Sequence, residues 1–174
     1  MYTVLRDTKE KEGHGWYFMP NSSCKEMVDL SLPTGDYTLV GYETKLTIER
    51  KANTAELAKN IYEARFTREL ERMREFQHPF LILEFTANDV LHFPLNSGIP
   101  KYLWGKIKTT SYSLLKSIIE MELHYPTIKI IFAGSHGKDI ASSIFKRMVE
   151  LNEQPAESKK IPKRTRKTTK LNKS

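Results

Sequence analysis

The 174-residue sequence contains a single cysteine, Cys24, so no disulfide bond can form within the chain. Such a low cysteine content is typical of proteins from a reducing compartment. A catalytic thiol needs a neighbouring base that lowers its pKa, and the sequence around Cys24 offers none. The composition therefore argues against a disulfide-stabilised fold and against cysteine-based catalysis.

Long apolar segments are also missing from the chain. A membrane-spanning helix needs about 18 consecutive apolar residues, and no segment of this sequence reaches that length. The N-terminal residues 1–7 lack the apolar run of a signal peptide. The five histidines show no spacing typical of metal ligands. We therefore expect a cytoplasmic or nucleoid-associated protein without a membrane partner.

The excess of positive charge is confined to the C-terminus. Residues 154–174 contain eight lysines and arginines and one glutamate, which equals the net charge of +7 of the whole chain. This segment has too few large apolar residues to offset the entropy cost of ordering, so we predict one domain over residues 1–153 and a disordered basic tail over 154–174. A basic tail suits a polyanionic partner, although a solubility tail or a localisation signal has the same composition. The predicted nucleic-acid-binding residues of the tail are Lys163, Arg164, Arg166 and Lys167.

The hydrophobic pattern predicts an α/β protein. Alternation and short apolar runs indicate six strands, at residues 2–5, 25–32, 37–40, 45–50, 80–85 and 127–132. Helical spacing indicates three helices, at residues 55–76, 110–124 and 138–151. Residues 86–105 are predicted to be irregular, Val28, Leu30 and Leu32 to share one face of the second strand, and the last strand to be buried. This order of elements predicts a mixed central sheet flanked by helices on both sides.

Two carboxylates and a lysine fall on the predicted hairpin of the third and fourth strands. Glu49 and Lys51 are two residues apart in a strand and therefore share one face. Asp36 follows a turn at residues 33–35 and returns beside Glu49 if the strands pair across a turn near Gly41. Two hard carboxylates can hold Mg²⁺, and an ammonium group can stabilise charge on a phosphate. A turn cap beside a solvated ion pair is the alternative interpretation of the same spacing.

The order of these residues resembles a nuclease signature. Gly35-Asp36-Tyr37 followed by Glu49-Arg50-Lys51 is similar to the Gly-Asp and Glu-Arg-Lys signature of the XPF/Hef branch of the PD-(D/E)XK nucleases. Asp7-Thr8-Lys9-Glu10 is similar to the Asp-x-Arg-Glu that opens XPF-type nuclease domains, with Lys9 in the arginine position. The resemblance extends over roughly residues 2–150 and implies a restriction-endonuclease-like core.

The same resemblance implies a metal-dependent DNA endonuclease that acts on branched or flap DNA in replication, repair or recombination. Asp36 and Glu49 would hold Mg²⁺ or Mn²⁺, and Lys51 would act on the attacking water or on the leaving phosphate. Asp7 and Glu10 would border the metal site. Free nuclease domains of this family tend to pair, so the resemblance also implies a homodimer through the last helix and strand.

The sequence departs from the family pattern after Lys51. The family has an Asp four residues later, where this chain has Ala55, and Glu56 lies one position beyond. Arg65 matches a family arginine and is a candidate for bracing the acidic site, and Glu84 is a candidate for the metal cluster. A salt-bridged outer helix face is predicted for Arg68, Arg72 and Arg74.

Other functions are also compatible with the sequence. A non-catalytic nucleic-acid-binding protein with a nuclease-like fold would use the same basic tail, and the departure at Ala55 favours it. RNA is as compatible with the sequence as DNA. The aromatic residues 16–18 are expected to close the end of the core rather than to stack on bases. Either a nucleic-acid contact or ordinary surface explains the basic and aromatic patch at Lys101, Tyr102, Trp104, Lys106 and Lys108.

Overall fold

A six-stranded mixed sheet forms the centre of the fold in the computed structural model, which describes residues 1–10, 13 and 15–153. The strands are β1 (Tyr2–Asp7), β2 (Cys24–Leu30), β3 (Tyr37–Leu39), β4 (Leu46–Lys51), β5 (His78–Leu83) and β6 (Lys129–Phe132). Their order in the sheet is β2-β1-β3-β4-β5-β6. Strand β3 runs antiparallel to β1 and β4, and the other neighbours are parallel. The predicted mixed sheet is confirmed.

The described residues form five α-helices, which are α1 (Thr54–Asn60), α2 (Ala64–Met73), α3 (Ala87–Leu91), α4 (Ser111–His124) and α5 (Gly137–Glu153). Asn53 caps α1 and Thr110 caps α4, each by accepting a backbone N–H with its side chain. The prediction that residues 86–105 are irregular is wrong. A capping box between Thr86 and Asp89 starts α3, and a short 3-10 helix spans Lys101–Lys106.

Two hydrophobic cores lie on opposite faces of the sheet. Ile82 of β5 packs in one core with Phe145 of α5. Its neighbours Leu81 and Leu83 pack in the other core with Leu114 of α4 and with α1 and α2. Successive strand residues point to opposite faces, so α5 covers one face of the sheet and α1, α2 and α4 cover the other. Helices on both sides of the sheet were predicted.

Residues 55–76 form two helices rather than the single helix that the sequence predicts. Helix α1 ends at Asn60, and α2 begins after a turn in which the N–H of Glu63 donates to the carbonyl of Asn60 at 2.8 Å. Leu57 and Phe66 are about two and a half helical turns apart, so a continuous helix would point them in opposite directions. The break lets both side chains enter the same core.

The two edge strands are more exposed than the centre of the sheet. Val28 and Leu30, predicted with Leu32 to share one face, are 42% and 48% exposed, whereas Leu32, beyond the end of β2, is 5% exposed. Strand β6 was expected to be buried, yet its four residues are exposed or half-buried. One core takes its strand side chains mainly from β1, β3 and β4, and the buried strand side chains of the other come from β5, so the outermost strands contribute little to either core.

The C-terminal segment with Lys163, Arg164, Arg166 and Lys167 lies outside the described residues, so the predicted basic tail stays a prediction. Within the described ranges, the helices lack the combination of length and apolar character that crossing a membrane requires.

Candidate active site

A cleft of about 770 Å³ contains all five side chains that the sequence predicts for the site. Its walls come from the end of β1, the turn before β3, the end of β4, and helices α1 and α2. The lining residues are Asp7, Lys9, Glu10, residues 32–36, residues 49–53, Glu56, Arg65, Phe66, Glu69 and Arg72. Six of them are acidic and five are basic, so the cleft is a strongly charged but nearly balanced site.

The β3–β4 hairpin brings Asp36 and Glu49 together. Tyr37 pairs with Ile48 in the antiparallel ladder, which sets Asp36, the residue before Tyr37, beside Glu49, the residue after Ile48. The N–H of Asp36 donates to the carbonyl of Ile48 at 2.8 Å. The Asp36 side chain accepts a hydrogen bond from the N–H of Arg50 at 2.7 Å. Backbone and side chain of Asp36 are therefore both fixed to β4.

Gly35 is the residue that allows this approach. Its φ of +75° lies in the left-handed region, which favours glycine. A Cβ atom at this position would lie 2.1 Å from the Thr47 hydroxyl and 3.0 Å from the carbonyl of Ile48. The turn before β3 thus packs against β4 without room for a side chain. The Gly-Asp pair of the sequence motif therefore has a structural reason.

Lys51 and Glu49 form a buried ion pair on the cleft face of β4. The distance from Lys51 Nζ to Glu49 Oε1 is 2.7 Å, and the residues are 4% and 8% exposed. Glu56 approaches the same ammonium group at 3.6 Å. The ammonium also lies 4.9 Å from the centre of the Phe66 ring, at cation–π distance. The predicted common face of Glu49 and Lys51 is confirmed.

The pKa values of these groups reflect burial together with the crowding of negative charge. Burial and the carboxylates of Glu49 and Glu10 raise the pKa of Asp36 well above its ordinary value. Burial also raises the pKa of Glu49, and the ion pair with Lys51 limits that rise. Burial alone would lower the pKa of Lys51, but Glu49, Glu56 and Asp36 raise it above its usual value. Lys51 therefore remains an ammonium ion at neutral pH.

Asp7 and Glu10 enter the cleft from the end of β1, and each also has a structural partner. Asp7 is 5% exposed, and its side chain accepts the N–H of Leu32 at 3.1 Å. Glu10 Oε1 lies 3.4 Å from a guanidinium nitrogen of Arg50. Lys9, in the arginine position of the resemblance, lies 3.7 Å from Asp7 with its side chain mostly exposed.

Four cleft residues were missed, left open or placed elsewhere by the sequence interpretation. Glu56, whose place in the pattern is shifted by one residue, lines the cleft and accepts the N–H of Ala52 at 2.8 Å. Glu69 and Arg72 also line it; Arg72 is exposed and salt-bridged, as predicted, but it pairs with Glu69 at the cleft rather than on an outer face. A signal existed, because residues 69 and 72 precede the buried Leu70 and Met73 and must border the packed side of α2. Arg65 lines the cleft, but its ion-pair partner is Glu63 at 3.6 Å.

Glu84 lies on the other side of β4 and not in the metal cluster, where it was a candidate. Its carboxylate accepts a hydrogen bond from Arg50 Nε at 2.6 Å and another from Trp16 Nε1 at 2.7 Å. Trp16 stacks on Tyr37 with ring centres 5.0 Å apart. Trp16 and Phe18 are buried and close the end of the core as predicted, whereas Tyr17 between them is 59% exposed.

The donor set of the cleft fits a hard divalent cation. Asp36 and Glu49 offer carboxylate oxygens, and the size of the cleft leaves room for the water ligands that Mg²⁺ keeps. A cation would also favour the ionised form of Asp36, whose pKa is raised by burial and further by the carboxylates of Glu49 and Glu10. Groups of three or more His, Cys, Asp or Glu arranged as a metal site do not occur among the described residues, so protein ligands alone would fill only part of the coordination shell.

The basic and aromatic patch lies on and after the short 3-10 helix. Tyr102 is 80% exposed, and Lys101, Lys106 and Lys108 are exposed as well. Trp104 is half-buried and donates its Nε1–H to the carbonyl of Ile99 at 2.9 Å. Trp104 therefore anchors the segment, and a nucleic-acid contact at the exposed residues stays a prediction.

Comparison with known proteins relates the chain to one family. The family model of the ERCC4 domain matches residues 6–160. None of the curated protein sequences compared with the chain matches it. The fold is similar to that of XPF from Aeropyrum pernix, with a TM-score of 0.55 and 18% identity over 85% of this chain and 65% of that chain. XPF from Aeropyrum pernix in complex with DNA has the same TM-score and identity, over 90% of this chain and 70% of that chain.

The chain thus spans 65% of the length of the first of these structures. At 18% identity the likeness concerns the fold. It confirms the predicted restriction-endonuclease-like core around the mixed sheet.

Proposed function

The chain belongs to the ERCC4 domain family, and we propose that it is a metal-dependent DNA endonuclease whose active site is the cleft lined by β4 and α2. One observation carries the proposal. The carboxylates of Asp36 and Glu49 and the ammonium group of Lys51 line the same cleft, on neighbouring strands of one hairpin. These are the residue types that phosphodiester hydrolysis needs at one place.

Asp36 and Glu49 are the residues that would hold Mg²⁺ or Mn²⁺. A divalent cation, when bound, withdraws charge from the phosphate and makes water a better nucleophile. Asp36 is held ready by the N–H of Arg50, and Glu49 by Lys51. Both carboxylates therefore have fixed positions before any ligand enters, which lowers the entropy cost of binding.

Lys51 acts as a charged donor rather than as a base. Its raised pKa keeps the amine protonated, so it cannot accept the proton of the attacking water. It can donate a hydrogen bond that orients this water, or stabilise negative charge on the phosphate as the bond to the leaving oxygen breaks. Glu49 and Phe66 keep the ammonium group at the wall of the cleft.

The charge balance of the cleft supports cation-dependent entry of the substrate. The Arg50 side chain pairs with Glu84 on the other face of β4, so six acidic and four basic side chains remain in the cleft and give it a formal charge of −2, which disfavours a phosphate. One divalent cation would neutralise that charge. Asp7 and Glu10 support the site by keeping the local charge negative enough to attract the cation.

Branched or flap DNA is the proposed substrate, in replication, repair or recombination, and a homodimer is the proposed assembly. Support for DNA comes from the similarity to XPF from Aeropyrum pernix, which is described in complex with DNA. The basic residues of the C-terminal segment would add phosphate contacts without sequence preference. Salt would therefore weaken binding steeply.

The test is a cleavage panel with the purified full-length chain. Labelled forks, flaps, four-way junctions and linear duplex, each made as DNA and as RNA, are incubated with Mg²⁺, Mn²⁺ or EDTA. We expect cleavage of branched DNA with either cation and no cleavage in EDTA. Size-exclusion chromatography with light scattering reports whether the chain is a dimer.

Asp36→Ala and Lys51→Ala should abolish detectable cleavage, because each removes one part of the cleft chemistry. Glu43→Ala and Lys45→Ala are matched controls, since both residues are exposed on the β3–β4 turn and do not line the cleft. Cleavage that survives Asp36→Ala or Lys51→Ala would end the site assignment.

A non-catalytic nucleic-acid-binding protein is the second candidate. The arrangement of Lys51 favours it, because the ammonium group occupies one oxygen of Glu49 at 2.7 Å and competes there with a metal ion. Ala55, in place of the family's Asp, favours it as well. Cation-independent binding without cleavage of any substrate would select this candidate.

A further inference from the structure

Helix α2 contains an ion pair, Glu69–Arg72, whose side chains hydrogen-bond to the turn before Asp36. Glu69 Oε1 accepts the N–H of Gly35 at 2.7 Å. Glu69 Oε2 pairs with Arg72 Nη2, and Arg72 Nε donates to the hydroxyl of Thr34 at 3.0 Å. Two side chains one helical turn apart thus hold two consecutive residues of the turn.

The Gly35 amide has few alternatives to Glu69. Gly35 is buried and adopts a φ of +75°. A Cβ at this position would lie 2.1 Å from Thr47 Oγ1, so little free space adjoins the turn on the β4 side. A buried backbone N–H without an acceptor is strongly unfavourable. Loss of the Glu69 carboxylate should therefore make the turn shift or open.

We propose that Glu69 is a positioning residue for Asp36, because it accepts the Gly35 amide and so fixes the turn from which Asp36 reaches the cation. This inference rests on the proposed function, in which Asp36 binds the metal. Glu69 itself is not assigned as a ligand, since its two oxygens are engaged by Gly35 and Arg72. Arg72 holds Glu69 in place and links it to Thr34.

Helix α2 contains a matched control for this pair. Glu71 and Arg74 have the same spacing of three residues and form an ion pair at 3.1 Å, with both side chains about half exposed. Neither residue lines the cleft. Glu71 accepts a hydrogen bond from the Tyr125 hydroxyl instead of a turn amide. Glu71→Ala therefore removes a comparable ion pair without touching the Asp36 turn.

The first experiment measures hydrogen exchange of the Gly35 amide by NMR, in EDTA, in the full-length chain. Glu69→Ala should speed exchange about tenfold or more, because the acceptor is gone. Glu69→Gln should remain within about threefold of the wild type, because its amide oxygen can still accept the bond. Glu71→Ala should leave Gly35 exchange unchanged.

The second experiment measures the dissociation constant of Mn²⁺ for the same four proteins by titration calorimetry. Glu69→Ala should weaken Mn²⁺ binding about tenfold or more, as expected when a residue that orients a ligand is lost. Glu69→Gln should bind within about threefold of the wild type. Glu71→Ala should bind as the wild type does. If Glu69→Ala does not fold, Arg72→Ala takes its place, with faster Gly35 exchange and weaker Mn²⁺ binding expected.

The two measurements separate failure of this inference from failure of the proposed function. Unchanged Gly35 exchange in Glu69→Ala would overturn the positioning role. Equal weakening of Mn²⁺ binding by Ala and Gln would also overturn it, in favour of a role of the Glu69 charge. Absence of Mn²⁺ binding by the wild type would overturn the metal site, while exchange in EDTA still decides whether Glu69 fixes the turn.

Discussion

Strand β4 carries ionic side chains on both faces, and the two faces use them differently. On one face Glu49 and Lys51 pair at 2.7 Å inside the cleft. On the other, Arg50 pairs with Glu84 at 2.6 Å, and the Trp16 indole donates to the same carboxylate at 2.7 Å. Glu49 and Lys51 thus belong to the cleft, whereas Arg50, which lies between them in sequence, belongs to a hydrogen-bonded network outside it.

The difference lies in how far each charge is compensated. Glu84 has two donors, and Arg50 has two carboxylates and lies 5.7 Å from the centre of the Trp16 ring. A buried network that is satisfied in this way specifies one packing arrangement. On the cleft face, Asp36 adds a carboxylate whose pKa is raised by burial and further by the carboxylates of Glu49 and Glu10. The proposed cation would compensate this charge.

The largest expected effect is on the cleft face. Glu49→Gln should lower the kcat of cation-dependent cleavage roughly a thousandfold, because an amide is a poor ligand for a hard cation. The free energy of unfolding in EDTA should fall by only about 1–2 kcal/mol, because the amide oxygen can still accept from Lys51 and Glu56 still lies 3.6 Å from the ammonium group. Cleavage at saturating DNA and urea titration measure the two quantities. Undiminished cleavage by Glu49→Gln would contradict the proposed role of Glu49 in the site, and with it the difference between the two faces of β4.

The next effect is on the other face of β4, where stability should change. Arg50→Ala should lower the free energy of unfolding by about 3 kcal/mol, because it leaves Glu84 without its ionic partner. The Glu84 side chain is only 17% exposed, so water compensates little. Urea unfolding checks the value.

Arg147→Ala is the control for that experiment. Arg147 pairs with Glu150 on the exposed surface of α5, where an ion pair contributes less than about 1 kcal/mol. Equal losses in the two variants would contradict a special role of the network around Arg50.

A third prediction concerns the pH dependence of the uncompensated charge. Asp36→Asn should raise the free energy of unfolding in EDTA at pH 8 by about 1–2 kcal/mol, because it removes a carboxylate that the fold disfavours in its ionised form. Asparagine keeps an oxygen for the N–H of Arg50.

The direction follows from the raised pKa of Asp36. Ionised Asp36 opposes folding fully above its folded pKa, less as the pH falls through that value, and not at all below its ordinary value of 3.8. The advantage of the Asp36→Asn variant over the wild type should therefore shrink as the pH falls. Urea titrations of both proteins between pH 8 and about pH 4 measure this difference, and an advantage that grows on acidification would contradict it.

The smallest expected effect belongs to Glu10, which contacts both faces. Glu10 lines the cleft and lies 3.4 Å from Arg50. Glu10→Gln should lower kcat about tenfold and the free energy of unfolding by less than about 1 kcal/mol, because each network keeps its closer partners. Cleavage rates and urea titration check this, and an effect as large as that of Glu49→Gln would make Glu10 part of the site itself.

The hairpin and the faces of β4 could be predicted from local sequence. Alternation predicts that Glu49 and Lys51 share a face, and the antiparallel pairing of Tyr37 with Ile48 confirms the predicted hairpin. The motif residues Asp7 and Glu10 line the same cleft as Asp36. These relations depend on neighbours in sequence and on one turn.

The course of the chain after β4 was harder to predict. Helical spacing over residues 55–76 suggests one helix, but Leu57 and Phe66 can meet only if the helix breaks. The break gives the residues after it a different direction from the one they would have in a continuous helix. Arg72 therefore reaches the cleft, whereas Arg74 stays outside it.

Glu84 illustrates a second limit of sequence reasoning. It directly follows β5, which runs parallel to β4, so the pattern places a carboxylate near the ends of both strands. Which face it joins depends on Arg50, 34 residues earlier, and on Trp16. The sequence pattern does not show whether Glu84 joins the cleft carboxylates or binds Arg50 and Trp16.

By itself, the sequence determined the strands, the common face of Glu49 and Lys51, and the glycine turn that carries Asp36, because alternation and turn chemistry act over a few residues. Tertiary structure alone decided the partners of these groups. Glu69 reaches Gly35 across 34 residues, and Glu84 reaches Arg50 across the same separation. Such contacts depend on how helices and strands pack, since hydrogen bonds and charges are satisfied by whichever groups the packing brings within reach.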